Sequence, residues 1–360
     1  MAGFVGIHKF NGNQMLGLLL RFGIPVVLLP AIVAVIAWRE LQPLYFVATF
    51  FLATPAMSYF VIDDDTENRV YTGSALLNAP LWIGVIVCGA LIAFVAVEAS
   101  KSGISWGRAL GLAAAVGSLM GGPGMALGHE LMHSRRPFER AMSVLMYSFV
   151  GYGYFIVEHV QGHHRNVGTP DDPATAKLGQ SIYSFYRQSL AGELIHAFTI
   201  EKFRLAREGK GPWNFHNMVI QYAAIHIFFT AFVFVNLGVK GLAFFLTQGL
   251  IAIILTQNQN YIAHYGITRR KVGSDQYERV SLRHSWDSYA KTLNMMAFNL
   301  GRHADHHRAV SKPYYALEAN TESPRMPYPY AIMLILAHVP PIYFSITHPI
   351  LFSRPEYQKR

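Results

Sequence analysis

GRALGLAAAVGSLMGGPGMALG (107–128) runs directly into HELMH (129–133). The first stretch has the length and apolarity of a bilayer-crossing helix, which takes about 20 mostly apolar residues. The second places His129 and His133 four residues apart, on one face of a continuing helix. A span that ends on two metal-binding side chains predicts a membrane protein whose chemistry sits at the membrane's edge.

Working outward, five more apolar runs qualify as spans, at about 16–38, 44–62, 78–98, 218–237 and 241–262. With 107–128 they make six, an even number that puts both termini on one side. Placing the termini in the cytoplasm leaves only Arg39, Lys101, Arg108 and Lys240, of 30 Lys and Arg, in the outer loops. That is the asymmetry of the positive-inside rule, and it predicts a multi-pass protein of the inner (cytoplasmic) membrane. Two further runs, 141–157 and 328–351, are read as interfacial or re-entrant helices on the cytoplasmic face. If 141–157 crossed the bilayer, His129 and His163 would lie on opposite sides and could not share a site.

Composition agrees. Hydrophobic residues make up 52% of the 360-residue chain and charged ones 14%, against about 25% charged in soluble domains. No linker, repeat or low-complexity tract divides it, so a single domain over 1–360 is expected, without a signal peptide. The net charge of +9 fits basic cytoplasmic loops, and no nucleic-acid partner is expected. Cys88 is the only cysteine, which rules out an internal disulfide and a cysteine-based zinc or iron–sulfur site.

Four segments carry the chemistry: HELMH, EHVQGHH (158–164), NYIAHYG (260–266) and RHADHH (302–307). They supply His129, His133, His159, His163, His164, His264, His303, His306 and His307. Helical spacings of three and four let two imidazoles reach one ion, whereas adjacent histidines diverge by about 100° and serve two ions side by side. Nine imidazoles exceed what one ion takes and suit two ions with four or five each. Glu130, Glu158, Asp172 and Asp305, in or beside these segments, are assigned to the neighbouring shell, where carboxylates commonly accept the second N–H of a ligating imidazole. His8, His196, His216, His226, His284, His338 and His348 stand alone and are read as structural. The fold expected is all-α, about six transmembrane helices under a cytoplasmic helical cap that holds the dinuclear site.

In order and spacing, HELMH, EHVQGHHRNVGTPDDPA, NYIAHYG and RHADHH resemble the membrane-bound alkane monooxygenases, which share a histidine-box superfamily with the xylene monooxygenase hydroxylases and the fatty acid desaturases. YERVSLRHSWDS (277–288) and Pro324–Pro327 resemble that family too, and the likeness covers about residues 120–330. It implies two iron ions, a reaction of O2 with a terminal methyl group giving a primary alcohol, and an outside electron donor, rubredoxin or an iron–sulfur reductase. Two positions depart from the pattern: Ala263 stands where an acid is frequent, and Gly301 where glutamine is. The hydrocarbon is expected to enter from membrane lipid, past Phe46, Phe50, Phe51 and Phe60. Arg135, Arg136, Arg269, Arg270 and Lys271 are available to dock an acidic donor. The rival readings are a methyl hydroxylase of alkyl-aromatics such as xylene, a fatty acyl desaturase, and, in another class, a transition-metal transporter. Transporter sites lie at mid-membrane, whereas these histidines cluster beyond span ends.

Overall fold

The computed structural model describes residues 12–53, 66, 68, 75–274 and 276–355. Among these the regular structure is helical, with two isolated β-bridges, Lys271–Tyr277 and Asp287–Arg325. In chain order the helices are α1 (Gly12–Trp38), α2 (Pro43–Ala48), α3 (Ala79–Ser100), α4 (Trp106–Leu119), α5 (Met125–Met132), α6 (Pro137–Val150), α7 (Tyr154–Glu158), α8 (His164–Asn166), α9 (Ile182–Arg207), α10 (Met218–His264), α11 (Lys291–Met296), α12 (His303–Arg308), α13 (Tyr330–Leu336) and α14 (Pro340–Phe352).

Four helical stretches are long and apolar enough to cross a membrane: Gly12–Trp38, Ala75–Ser100, Trp106–Met132 and Met218–His264. The last is two arms. Gly238 has φ 65° and ψ −163°, a conformation open to glycine and strained for any residue with a Cβ. Across that break the His226 ring stacks on Phe245 at 5.7 Å, so the arms fold back on each other. The expected spans at 218–237 and 241–262 are these arms, and the break is sharper than the sequence suggested. The expected span at 44–62 is described only through Ala53, as α2 and a π-turn at Thr49–Ala53. Its remainder, with Phe60, lies outside the described residues.

The helical stretch over 107–128 continues past residue 128, as its sequence predicts. A π-turn at Met120–Gly124, around Pro123, joins α4 to α5, and the helix continues to Met132 with His133 as its C-cap. Proline has no N–H to donate, and the π-turn lies where that bond is lost. The two short apolar runs stay short. The first is α6, closed by Gly151 in the left-handed region, followed by α7. The second is broken ahead of Pro340 and Pro341 into α13 and α14, and the two prolines start the second helix.

The hairpin packs against α3, α4 and α6, and α1 packs on α3. Outward-facing Leu20, Leu28, Ile86, Phe228 and Val235 are exposed, as lipid-facing side chains are. One core cluster fills the space between the long helices; a second gathers Tyr261, Tyr265, Trp286, Tyr330 and Tyr343 around the C-terminal end of α10. The histidine-bearing ends of α5, α7–α8, α10 and α12 converge between these two clusters.

Candidate metal centre

All nine histidines from the four segments meet, in two groups. His129, His133, His159, His164 and His306 form one, and His163, His264, His303 and His307 the other; within each group the ligand atoms lie within 4.8 Å of one another. Adjacent residues split between the groups, His163 from His164 and His306 from His307. His129 and His133, and His303 and His307, keep the four-residue pairing of an α-helix.

EHVQGHH does not keep it. Residues His159–His163 form a π-turn, in which the repeat lengthens to bonds between residues five apart. That brings His159 beside His164, five residues on, with their Nε2 atoms 2.9 Å apart, and sends His163 to the other group. The His159 and His163 rings still stack at 5.1 Å, so one ring column links the groups.

The nitrogens cannot be explained as hydrogen bonds to one another. His164 Nε2 lies 3.2 Å from His133 Nε2, 2.9 Å from His159 Nε2 and 3.2 Å from His306 Nε2. His264 Nε2 lies 3.2 Å from His163 Nε2 and 3.0 Å from His303 Nε2, which lies 3.1 Å from His307 Nε2. One ring nitrogen carries at most one proton, so converging Nε2 atoms set lone pairs face to face, an arrangement that needs a cation between them. The spacing fits one: two nitrogens at about 2.1 Å from an ion and at right angles are about 3 Å apart. The residues therefore fit a pair of transition-metal ions.

Their protonation agrees. Burial, reinforced by repulsion from neighbouring imidazoles, holds His159, His164, His306 and His307 well below their ordinary value, and burial first brings His303 down to about 3. The imidazoles are thus kept neutral, the form that binds metal. For His163 burial also pulls downward, but Asp172 outweighs it and the net shift is up.

Of the four acids singled out in the sequence, Asp172 meets a cluster imidazole, with Oδ2 2.9 Å from His163 Nδ1. Its Oδ1 accepts the Ala174 N–H, and Thr175 donates its hydroxyl to Oδ2. The others are directed elsewhere. Glu130 accepts the Tyr314 N–H. Glu158, fully buried, bonds His196 Nδ1 at 3.0 Å. Asp305 binds Arg308 and Lys312 and accepts the Glu318 N–H.

Two further residues, His196 and Asp287, help to form the site. His196 was set aside as isolated, because its partner Glu158 lies 38 positions away. Asp287 lies in the SWDS stretch. Its carboxylate accepts the Ala304 N–H at 2.7 Å and bonds from Tyr289, Asn320 and Ser323. It thereby pins the first turn of α12, with His303, to the loop at 320–323. Ahead of α12, Gly301 has no room for a side chain: a Cβ would lie 2.4 Å from the Ser288 carbonyl oxygen and 2.6 Å from Asn294 Oδ1. Asn294 fixes this turn: it accepts the Gly301 N–H and donates to Ser288 O.

A small cleft of about 30 Å³ touches both groups, lined by His129, His159 and His303 with Met125, Phe155, Ala263 and Leu300 among its walls. The α10 side of this cleft sets Ala263 beside Thr256, Gln259 and Asn260. A wider apolar opening of about 530 Å³ between Phe51, α10 and α13 is lined by Ile251, Ile254, Leu255 and Leu334. The basic residues fall into two surface grooves. One, of about 430 Å³, exposes His133 beside Arg135, Arg136 and Lys312; the other, of about 850 Å³, has Asp172 and His196 in its wall beneath Lys177, Arg269, Arg270 and Lys271.

Comparison with known proteins agrees with this geometry. Residues 104–335 match the family model described as Fatty acid desaturase. The chain is 34% identical over 295 residues to Alkane 1-monooxygenase 1 of Pseudomonas aeruginosa, covering 80% of this chain and 75% of that protein. To Alkane 1-monooxygenase 2 of Alcanivorax borkumensis it is 33% identical over 339 residues, 91% of this chain and 87% of that one. It is also 31% identical over 229 residues to the xylene/toluene monooxygenase hydroxylase component of Pseudomonas putida, covering 63% of this chain and 60% of that protein.

Proposed function

Because the chain belongs to the fatty acid desaturase family, and within it to the membrane monooxygenases that include the alkane 1-monooxygenases, we propose that it is a di-iron monooxygenase converting the terminal methyl group of an alkane to a primary alcohol. The observation that carries this reading is the gathering of nine imidazoles in groups of five and four beside one small cleft. The five-histidine group holds one iron and the four-histidine group the other. When bound, the pair supplies the O2 chemistry, which imidazole and carboxylate side chains do not perform.

The chain's own residues do the rest. Met125, Phe155, Ala263 and Leu300 give a methyl group apolar contact in the cleft, beside the polar side chains of Thr256, Gln259 and Asn260. The opening at Phe51 and Leu255 lies on the lipid-facing side of α10 and supports entry from the bilayer. Asp172 fixes the ring of His163.

The balanced reaction inserts one oxygen atom into the C–H bond and reduces the other to water, using two electrons and two protons. The nine histidines hold no electrons to give, so a donor protein is needed, rubredoxin or an iron–sulfur reductase. The groove beneath Lys177, Arg269, Arg270 and Lys271 supports docking of an acidic carrier, because Asp172 in its wall is in contact with His163. Six spans with both termini and the metal centre on the cytoplasmic face of the inner membrane accord with the positive-inside count.

A second reading keeps the same chemistry on a methyl group attached to an aromatic ring, and rests on the similarity to the xylene/toluene enzyme. Purified protein in detergent, supplied with iron, a reduced donor and isotopically labelled O2, is offered octane and xylene separately. Labelled primary octanol as the dominant product supports the alkane reading. Labelled methylbenzyl alcohol with no octanol moves the aromatic reading ahead, and an alkene product rejects both.

A further inference from the structure

Tyr152, Glu193 and Gln257 are fully buried, and no step of the hydroxylation uses them. Tyr152 donates its phenol O–H to Glu193 Oε2 at 2.5 Å, and Gln257 Nε2 donates to both Glu193 and Tyr152. The Tyr152 ring stacks on Phe155 at 4.8 Å, and Phe155 stacks on His159 at 4.8 Å, each pair tilted by 27°. The same column continues to His163, so the rings join a phenol to both histidine groups.

Packing alone explains this poorly. Glu193 Oε1 meets no hydrogen-bond donor among the described residues, and no ion pair to Glu193 is found there. A buried carboxyl without a cation is costly, and an apolar side chain of similar size normally does better. Tyr147 makes the comparison within the same cluster. It stacks on the same Phe155 ring at 5.5 Å, yet its hydroxyl reaches only the Met125 carbonyl, at 3.4 Å. Of the two phenols on Phe155, only Tyr152 has a carboxylate to take its proton.

We propose that Tyr152 is a redox-active tyrosine that discharges the metal centre when O2 has reacted and no hydrocarbon is in the cleft. The step balances as follows. One electron leaves the Tyr152 ring, passes by way of Phe155 and His159, and reduces the metal pair by one equivalent. The phenolic proton moves along the hydrogen bond to Glu193 Oε2, which leaves a neutral tyrosyl radical. The donor protein later returns the electron, and the proton goes back from Glu193. Burial first, then Glu193, holds the phenol protonated far above neutrality, so oxidation has to release a proton. Tyr152 O–H and Gln257 Nε2–H both donate to Glu193 Oε2, so the step takes place with Glu193 in its ionised form.

The inference rests on the monooxygenase reading, and the experiment separates the two. Reduced, iron-loaded protein is mixed with O2 without hydrocarbon, frozen at short times and examined by EPR. A second aliquot receives octane and is assayed for alcohol. The expected result is a tyrosyl signal in the wild type that narrows when ring-deuterated tyrosine is incorporated. It should be lost in Tyr152→Phe, persist in Tyr147→Phe, and fall several-fold in Phe155→Leu and Glu193→Gln. Octanol formation should stay within about twofold of wild type in Tyr152→Phe, and that variant should inactivate faster when cycled without substrate. Octanol without any tyrosyl signal overturns the inference and leaves the monooxygenase reading intact, as does a signal of wild-type strength in both Tyr152→Phe and Phe155→Leu. Loss of octanol and radical together in iron-loaded wild type overturns both.

Discussion

His163 Nδ1 lies 2.9 Å from Oδ2 of Asp172, while the Nε2 of the same ring faces the four-histidine group. The carboxylate therefore selects the tautomer and the angle at which this imidazole is presented. Partners of this kind are worth about 10- to 100-fold in metal affinity. Asp172→Asn should weaken iron binding by that order, read by competition with a chromophoric chelator, with the helical circular dichroism unchanged. Wild-type affinity in the variant would mean that His163 is held by packing alone.

Asp287 ties α12 to the rest of the site through the Ala304 N–H. Burial raises its carboxyl to about 6 in spite of four hydrogen bonds, so a neutral replacement that keeps one acceptor is the mild change. Asp287→Asn should lower Tm slightly and retain most iron. Asp287→Ala leaves buried donors unsatisfied at about 1–3 kcal/mol each and should lose iron from the four-histidine group. Equal iron in the two variants would contradict this.

Acid should unfold the metal-free protein early. Burial brings His303 and His133 to about 3, whereas an unfolded imidazole titrates near 6.5. Between those values the unfolded chain binds more protons than the folded one, so folded stability present above about pH 6.5 is lost progressively as pH falls towards about 3. Thermal unfolding of chelator-treated protein should show a lower Tm at about pH 5 than at about pH 7.5. A Tm that is flat or rises on acidification contradicts the buried neutral clusters.

The opening at Phe51 predicts a change in the size of hydrocarbon accepted. Phe51 and Leu255 both line it, and Phe51 packs edge-on against Phe50 at 5.4 Å. Leu255→Trp should raise the KM for long alkanes several-fold with less effect on kcat, and Phe51→Ala should widen the chain lengths turned over. An unaltered chain-length profile in both variants would place the entry route elsewhere.

Much of this site is readable in the sequence, because histidine spacing is a local property. The nine imidazoles, the separation of adjacent histidines into different groups and the break between residues 237 and 241 follow from residue type and helical geometry. The pairing of His159 with His164 does not. An α-helical repeat puts His159 with His163, and only the π-turn over His159–His163 reverses this; EHVQGHH carries no mark of that turn. The acids were harder for a related reason. Glu130, Glu158 and Asp305 sit beside ligands in the chain, but a carboxylate's partner is set by what packs opposite it: Tyr314, His196, and Arg308 with Lys312. Asp287 was overlooked because its role is to hold backbone, and hydrogen bonds to backbone have no residue-type signature.

The central claim is two ions in groups of five and four, and metal stoichiometry tests it most directly. Iron per chain is measured in detergent-purified, iron-reconstituted protein, in His164→Ala and in His163→Ala, with Mössbauer spectra of each. Two irons in the wild type, selective loss from the five-histidine group in His164→Ala and from the four-histidine group in His163→Ala, with two distinguishable residual spectra, is the predicted result. A single metal per folded chain, or the same residual iron in both variants, would contradict it.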